Sequence, residues 1–182
     1  ALGAGPLAVA LLQVARGDVV GDRVAEDDLL GLLRLDVLAH PTDDHCELAP
    51  EAAKRFDTEV YLHPDDDMLW QESNGDAPYT PLADRGQFDI GGEKITVYHT
   101  PGHSPGCVVL HVGETLLSGD TLFNGGPGAT GRKYSDFDVI IESLKNVVFT
   151  LPEDTKVLPG HGDATTVGAE AARIDEYIER GY

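Results

Sequence analysis

Four short apolar runs in this chain each give way to a turn that carries a histidine or an aspartate. His40 ends the run at 37–39, His103 follows the run at 94–99, Asp120 follows 114–118 and His161 follows 156–158. Short runs of β-branched residues bounded by glycine and proline read as strands. Side chains at strand ends are held by a rigid scaffold, while the loops around them stay open to substrate. This arrangement constrains the fold more than any compositional figure, because it asks for strands whose ends come together.

The turns themselves are chemically specific. His40-Pro41-Thr42-Asp43-Asp44-His45 places two histidines and an aspartate in one segment. His103 sits in Thr100-Pro101-Gly102-His103-Ser104-Pro105-Gly106, Asp120 in Ser118-Gly119-Asp120-Thr121, and His161 in Pro159-Gly160-His161-Gly162. A lone histidine beside glycine and proline is usually a turn residue; four such segments in this order point instead to a metal site. Imidazole and carboxylate donors suit Zn²⁺, and also Fe and Mn, better than Cu(I). Cys46 and Cys107 are not spaced as a zinc clip and read as structural residues. His63, His99 and His111 lie in or beside strands and read as packing or surface residues. Ser104 and Ser118 flank the candidate ligands, but neither lies in a Gly-x-Ser-x-Gly elbow.

Helices are expected at 25–35, 47–56, 137–148 and 169–180, and a helical turn from Pro64 through Trp70. Ser135-Asp136 caps the third of these helices. Positions 137, 140, 141, 144 and 148 give it one apolar face. Strands are expected at 59–62, in a hairpin of 87–90 with 94–99 around Gly91-Gly92, in a second hairpin of 107–112 with 114–118, and at 156–158. Residues 71–85 read as a long polar loop. Strands in runs, with helices between and after them, imply an α+β fold in which helices cover sheets. The chain has 182 residues without repeats or linkers, so one domain over 1–182 is expected. Its 13 basic and 32 acidic side chains give a net charge of −19. That charge argues against nucleic acid or an anionic membrane as partner, since both need a basic face. The early apolar run at 7–12 is far below the roughly 20 residues of a membrane span, and no basic segment precedes it. A soluble cytoplasmic protein is the expectation.

Taken together, the segments resemble the metallo-β-lactamase-fold hydrolases, and within them the glyoxalase II-like (hydroxyacylglutathione hydrolase-like) branch. That pattern is His-x-His-x-Asp-His, then Thr-Pro-Gly-His-[Ser/Thr]-Pro-Gly, then Gly-Asp-Thr-Leu-Phe, then a late Gly-His. The glycine-rich stretch at 124–132 is similar to a bacterial subgroup of the branch. The resemblance implies a four-layer αββα sandwich with metals at one edge between two sheets. It implies that His40, position 42 and His103 bind one metal, that Asp44, His45 and His161 bind a second, and that Asp120 bridges both. Zinc is the implied ion, one or two per chain, with Fe or Mn as alternatives.

Two departures stand out. Position 42 is threonine where the family has its second histidine. The region Val19-Val20-Gly21-Asp22-Arg23 lacks the proline of the family's early Asp-Pro-Gly turn, so the N-terminal sheet is expected to be incomplete or diverged. The implied reaction is attack of a metal-bound hydroxide on a thioester or related acyl compound, with Asp120 and Asp44 as catalytic residues. Arg132 and Tyr134 match, approximately, the family's contacts to a thiol carrier. With 21 residues after His161, the glutathione-binding helical domain of longer relatives is not expected, which leaves another small thiol open. Two alternatives remain: an impaired, non-catalytic member, because of Thr42, or a persulfide dioxygenase with one iron on His40, His103 and Asp120.

Overall fold

The computed structural model describes residues 49–56, 59–90 and 93–181. The expected helix at 25–35, the strand at 37–39 and the segment at 40–45 lie outside the described residues. So do Thr42 and the candidate ligands His40, Asp44 and His45.

The first described element is helix α1 (Ala49–Phe56), followed by the short strand β1 (Tyr61–Leu62). Pro64 then opens a 3₁₀ turn (Pro64–Asp66), where its fixed φ and missing N–H cost nothing. Helix α2 (Asp67–Asn74) continues from it and ends at Gly75, which takes φ 57. Strand β2 (Thr80–Pro81) pairs in parallel with β1. Part of the expected loop at 71–85 is therefore ordered. Trp70 is buried and donates its indole N–H to the Ala77 carbonyl at 2.8 Å, which folds the polar segment back onto the helix.

The main sheet follows. β3 (Gln87–Ile90) and β4 (Glu93–His99) pair antiparallel, and so do β5 (Val108–Val112) and β6 (Thr115–Gly119). A small hairpin of β7 (Leu122–Phe123) and β8 (Gly126–Pro127) comes next; nothing in the apolar pattern announces it. Helix α3 (Phe137–Asn146) is capped by the Asp136 side chain, which accepts from the Val139 N–H. It gives way to a 3₁₀ turn at Val148–Thr150, slightly before its expected end. β9 (Lys156–Pro159) joins β6 in parallel, and β10 (Thr165–Thr166) closes the edge. The expected closing helix is two helices, α4 (Val167–Ala171) and α5 (Ile174–Arg180). They part where Arg173 leaves helical geometry and donates to the Glu170 carbonyl in a tighter turn. Gly181 ends α5 at φ 76, a left-handed cap that glycine adopts without Cβ strain.

The six strands run in the order β10-β9-β6-β5-β4-β3. Alternation of side chains puts Ile95, Val97, Leu110, Val112 and Leu117 on one face with Leu82. Val109, Leu116 and Val157 face the other way, under Leu144, Val148 and Val167. Burial on both faces explains the apolar run Val108-Val109-Leu110 in β5, because a sheet covered on both sides has no polar face to alternate with; half-buried His111 interrupts it before Val112. Leu144 is fully buried, and such a side chain contributes on the order of 2 kcal/mol.

The topology also decides where the turns go. β4 and β6 are each antiparallel to β5, and β9 is parallel to β6. Strands β4, β6 and β9 therefore run the same way, and their carboxyl ends share one edge of the sheet.

Candidate metal centre

His103, Asp120 and His161 each leave the carboxyl end of one of those three strands. His103 lies in the loop between β4 and β5, Asp120 follows β6, and His161 follows β9. Adjacent strand ends are tied by the Gly160 N–H, which donates to the Gly119 carbonyl at 3.0 Å. His103 Nε2 stands 4.0 Å from Asp120 Oδ2, and His161 Nε2 stands 3.9 Å from Asp120 Oδ1. Each carboxylate oxygen thus faces a different imidazole. His103 and Asp120 are inside the protein, whereas the His161 side chain is 66% exposed and rests against the Phe123 ring at 4.6 Å.

This donor set fits a metal ion. Zinc bonds to nitrogen and oxygen of about 2.0–2.2 Å put two ligands of one ion about 3–4 Å apart. The two observed separations close on that range with small side-chain movements. Two imidazoles about one carboxylate suit zinc, iron or manganese.

The loops around these residues are tightly held. The Thr100 and Thr121 hydroxyls meet at 3.1 Å and join the His103 loop to the Asp120 turn. Gly128 packs so closely that a Cβ there would fall 1.7 Å from the Asp120 carbonyl oxygen and 3.3 Å from His103 Nδ1. Only glycine fits between them. Gly102 takes φ 133 against Ile140 of α3, and its carbonyl accepts from the Asp136 N–H at 2.7 Å. Asp66, at the end of the first 3₁₀ turn, accepts from the Ser104 hydroxyl and from the Gly106 N–H, each at 2.7 Å. On the far side, Glu170 of α4 accepts from the Thr165 hydroxyl, the Gly125 N–H and the Tyr177 hydroxyl, pinning the β7–β8 turn. Burial and the Glu170 carboxylate push the Tyr177 phenol upward. Sequence reading missed Asp66 and Glu170, and marked Gly128 only as part of the glycine-rich stretch at 124–132. The acid two residues beyond Pro64 had no pattern to mark it, and the other two are decided by contacts distant in sequence.

A second group has the same composition. His63, Asp65 and His99 bring ligand-type atoms within 4.8 Å of one another. The His63 and His99 rings are stacked, 3.9 Å between centroids and 11° between planes. The in-plane lone pairs of stacked rings run nearly parallel, so one ion cannot lie on both. His63 Nδ1 already accepts from the Asp65 N–H, and His99 Nε2 stands 2.8 Å from the Pro105 carbonyl oxygen. Burial, then the neighbouring His99, lower the His63 pKa. The two rings pack face to face, and Asp65 Oδ2 stands 3.7 Å from His63 Nδ1 and from His99 Nε2.

Arg132 and Tyr134 lie in the turn before α3, both exposed. Tyr134 takes φ 71, a left-handed conformation that costs a non-glycine residue roughly 1 kcal/mol or more. Lys133 reaches back to Glu72 of α2 at 3.0 Å and lies over the Tyr134 ring. Cys107 is buried with a free thiol, which burial pushes up to about 12.

Comparison with known proteins decides the family. The sequence profile described as "Metallo-beta-lactamase superfamily" matches residues 25–161. The chain belongs to the metallo-β-lactamase superfamily. It is 32% identical over 169 residues to "Probable metallo-hydrolase YqgX" of Bacillus subtilis, covering 85% of this chain and 79% of that one. "Hydroxyacylglutathione hydrolase GloC" of Haemophilus influenzae is 29% identical over 164 residues, with 81% and 76% covered. Among solved structures, TTHA1623 in a di-iron-bound form is 35% identical, with a TM-score of 0.63 over 73% of this chain and 72% of that one. The α+β sandwich expected from the sequence is the fold of this metallo-β-lactamase superfamily member. The superfamily is one of metallo-hydrolases, so a metal-binding hydrolase centre is its ordinary content. Among the described residues, no helix is long and apolar enough to cross a membrane.

Proposed function

We propose that this chain is a metal-dependent hydrolase of the glyoxalase II-like branch, acting on acyl thioesters of a small thiol. The observation that carries the reading is Asp120, which offers one oxygen to His103 and the other to His161, at 4.0 and 3.9 Å. A carboxylate so flanked has the form of a ligand shared between two metal positions. His103, Asp120 and His161 would hold the ions, joined by His40, Asp44 and His45 from the preceding segment. Thr42 makes the first position the poorer one, because a neutral hydroxyl is a weak donor beside imidazole.

A bound zinc, iron or manganese supplies Lewis acidity toward a carbonyl and, for zinc, lowers the pKa of water at an open position to about 7. The protein's own residues do the rest. Asp120, largely buried, fixes the geometry between the two imidazoles, and Asp44 joins it as the second catalytic carboxylate. His161 lies on the open side, where a substrate approaches. Lys133 is engaged with Glu72, which leaves exposed Arg132, with Tyr134, to meet an anionic carrier that a chain of charge −19 would otherwise repel. The hydroxyacylglutathione hydrolase named among the relatives supports a thioester. The di-iron-bound relative supports iron as an alternative to zinc. The expected partner is a small molecule, not nucleic acid or membrane, and the expected compartment is the cytoplasm.

The test is elemental analysis of the purified protein, followed by thiol release from acyl thioesters of glutathione and of a second small thiol. One or two ions per chain with thiol release that His103→Ala abolishes is the expected result. A metal-loaded protein that releases no thiol overturns the thioester reading, and uptake of oxygen with a persulfide would assign it to the dioxygenase chemistry instead.

A further inference from the structure

Asp66 has no part in the reading above, yet it is fully buried beside the loop that carries His103. It lies 37 residues before that histidine, and its two oxygens are divided between the residue after His103 and the residue three after it. Oδ2 accepts from the Ser104 hydroxyl and Oδ1 from the Gly106 N–H, both at 2.7 Å. The fit is close. A Cβ on Gly106 would fall 2.6 Å from the Asp66 carboxyl carbon, so the loop backbone approaches as far as a glycine allows.

The hydrogen-bond order is determined at every step. Ser104 has one hydroxyl proton and gives it to Asp66. Its oxygen lies 3.1 Å from Cys107 Sγ, so the thiol must be the donor in that contact. Burial keeps the thiol protonated, its pKa pushed up to about 12. The chain therefore runs from the Cys107 S–H to Ser104 Oγ, and from the Ser104 O–H to Asp66. The rest of the loop is held by other groups. His99 Nε2 lies 2.8 Å from the Pro105 carbonyl, the Thr100 N–H donates to the Cys107 carbonyl, and the Gly102 N–H donates to the Ser104 carbonyl. Asp66 is the only side chain in this set that grips two loop positions at once. Both of its bonds fall on the far side of His103 from the Gly102 anchor to α3.

We propose that Asp66 is a positioning residue, which sets the His103 loop and through it the metal affinity of the His103–Asp120–His161 centre. The proposal rests on the metal reading of that centre. Groups that orient a ligand from outside the coordination shell typically change metal affinity 10- to 100-fold when removed. Asparagine at position 66 keeps the shape but offers a donor where the site needs an acceptor, so one of the two bonds is lost.

The experiment compares Asp66→Asn, Ser104→Ala and Ser104→Thr with the parent. Zn²⁺ affinity is measured by competition with a chromophoric chelator, the Co²⁺ absorption spectrum reports coordination geometry, and amide exchange of Gly102 is measured without metal. Gly102 donates to Ser104 and not to Asp66, so its exchange reads the loop rather than the deleted bond. Asp66→Asn is expected to weaken Zn²⁺ binding at least about tenfold, alter the Co²⁺ bands and speed Gly102 exchange. Ser104→Ala is expected to do the same to a smaller extent, and Ser104→Thr, which keeps the hydroxyl, to restore parental values. If Asp66→Asn does not fold, the two Ser104 variants decide the matter by the same readouts. Folded variants with lower thermal stability but parental Zn²⁺ affinity, Co²⁺ spectrum and Gly102 protection overturn the proposal. A parent that binds no ion sinks the hydrolase reading, while Gly102 exchange still decides whether Asp66 sets the loop.

Discussion

Two histidine–aspartate–histidine groups sit near the same end of this molecule; each sets a carboxylate within 4.0 Å of two imidazoles, and they differ in how the rings are disposed about it. In one, Asp120 stands between two imidazoles, each aimed at a separate oxygen. In the other, His63 and His99 lie face to face, one Asp65 oxygen stands 3.7 Å from both His63 Nδ1 and His99 Nε2, and those two nitrogens also meet backbone groups. The first comes from three strands running the same way to a common edge. The second comes from the end of one strand laid against a 3₁₀ turn. Residue type makes a site conceivable; lone-pair direction and prior hydrogen bonding decide whether it can hold an ion.

The contrast can be broken most directly at Asp120. Asp120→Asn is expected to lower thioester turnover on the order of 100-fold or more, and Cys107→Ala, which removes only a thiol donor to Ser104, far less. A larger loss in the cysteine variant would point to thiol chemistry and remove Asp120 from the centre of the site. Next in size is Gly128→Ala, which drives a methyl into the Asp120 carbonyl and toward His103. Overpacking of this kind costs about 1–3 kcal/mol or more, visible as a lower urea midpoint, and it should also reduce retained metal. His63→Ala belongs to the other group. It should leave metal content and turnover unchanged and cost about 1 kcal/mol through the lost stack and turn cap. If that variant loses its metal while His103→Ala keeps it, the roles assigned to the two groups are reversed.

The smallest effect is on pH dependence. Burial lowers the pKa of His63, with His99 adding to the shift, and burial lowers that of His111. Both are therefore protonated more readily in the unfolded chain. Their stabilising contribution is complete above the unfolded pKa of about 6.5 and is lost as pH falls below it toward the folded values. Urea midpoints at about pH 7.5 and 5.5 should show a drop that His63→Gln partly flattens. An equal drop in parent and variant would show that His63 carries none of it.

Much of the fold could be read from local pattern. The hairpins flanking Gly91-Gly92 and Gly113, the Asp136 cap with its apolar face on α3 and the Gly181 stop all depend on residues a few positions apart. The turns carrying His103, Asp120 and His161 were legible in the same way, because an imidazole or carboxylate in a glycine-rich turn at a strand end leaves a compact signature. The polar segment at 71–85 misled, since Trp70 and the pairing of Thr80–Pro81 with Tyr61–Leu62 order part of it. The closing helix misled too, because its break accompanies contacts of the Glu170 side chain that helical periodicity does not reveal.

The sequence by itself determined which residues could be ligands and which strands carry them, because both are written in spacings of a few residues. Only the tertiary structure decided that β4, β6 and β9 end at one edge, that Asp66 reaches Ser104 across 38 positions, and that His63 stacks on His99 rather than sharing an ion with it. Those outcomes depend on strand order, register and ring orientation. Such quantities exist only after distant segments have packed, and no local pattern of residue types encodes them.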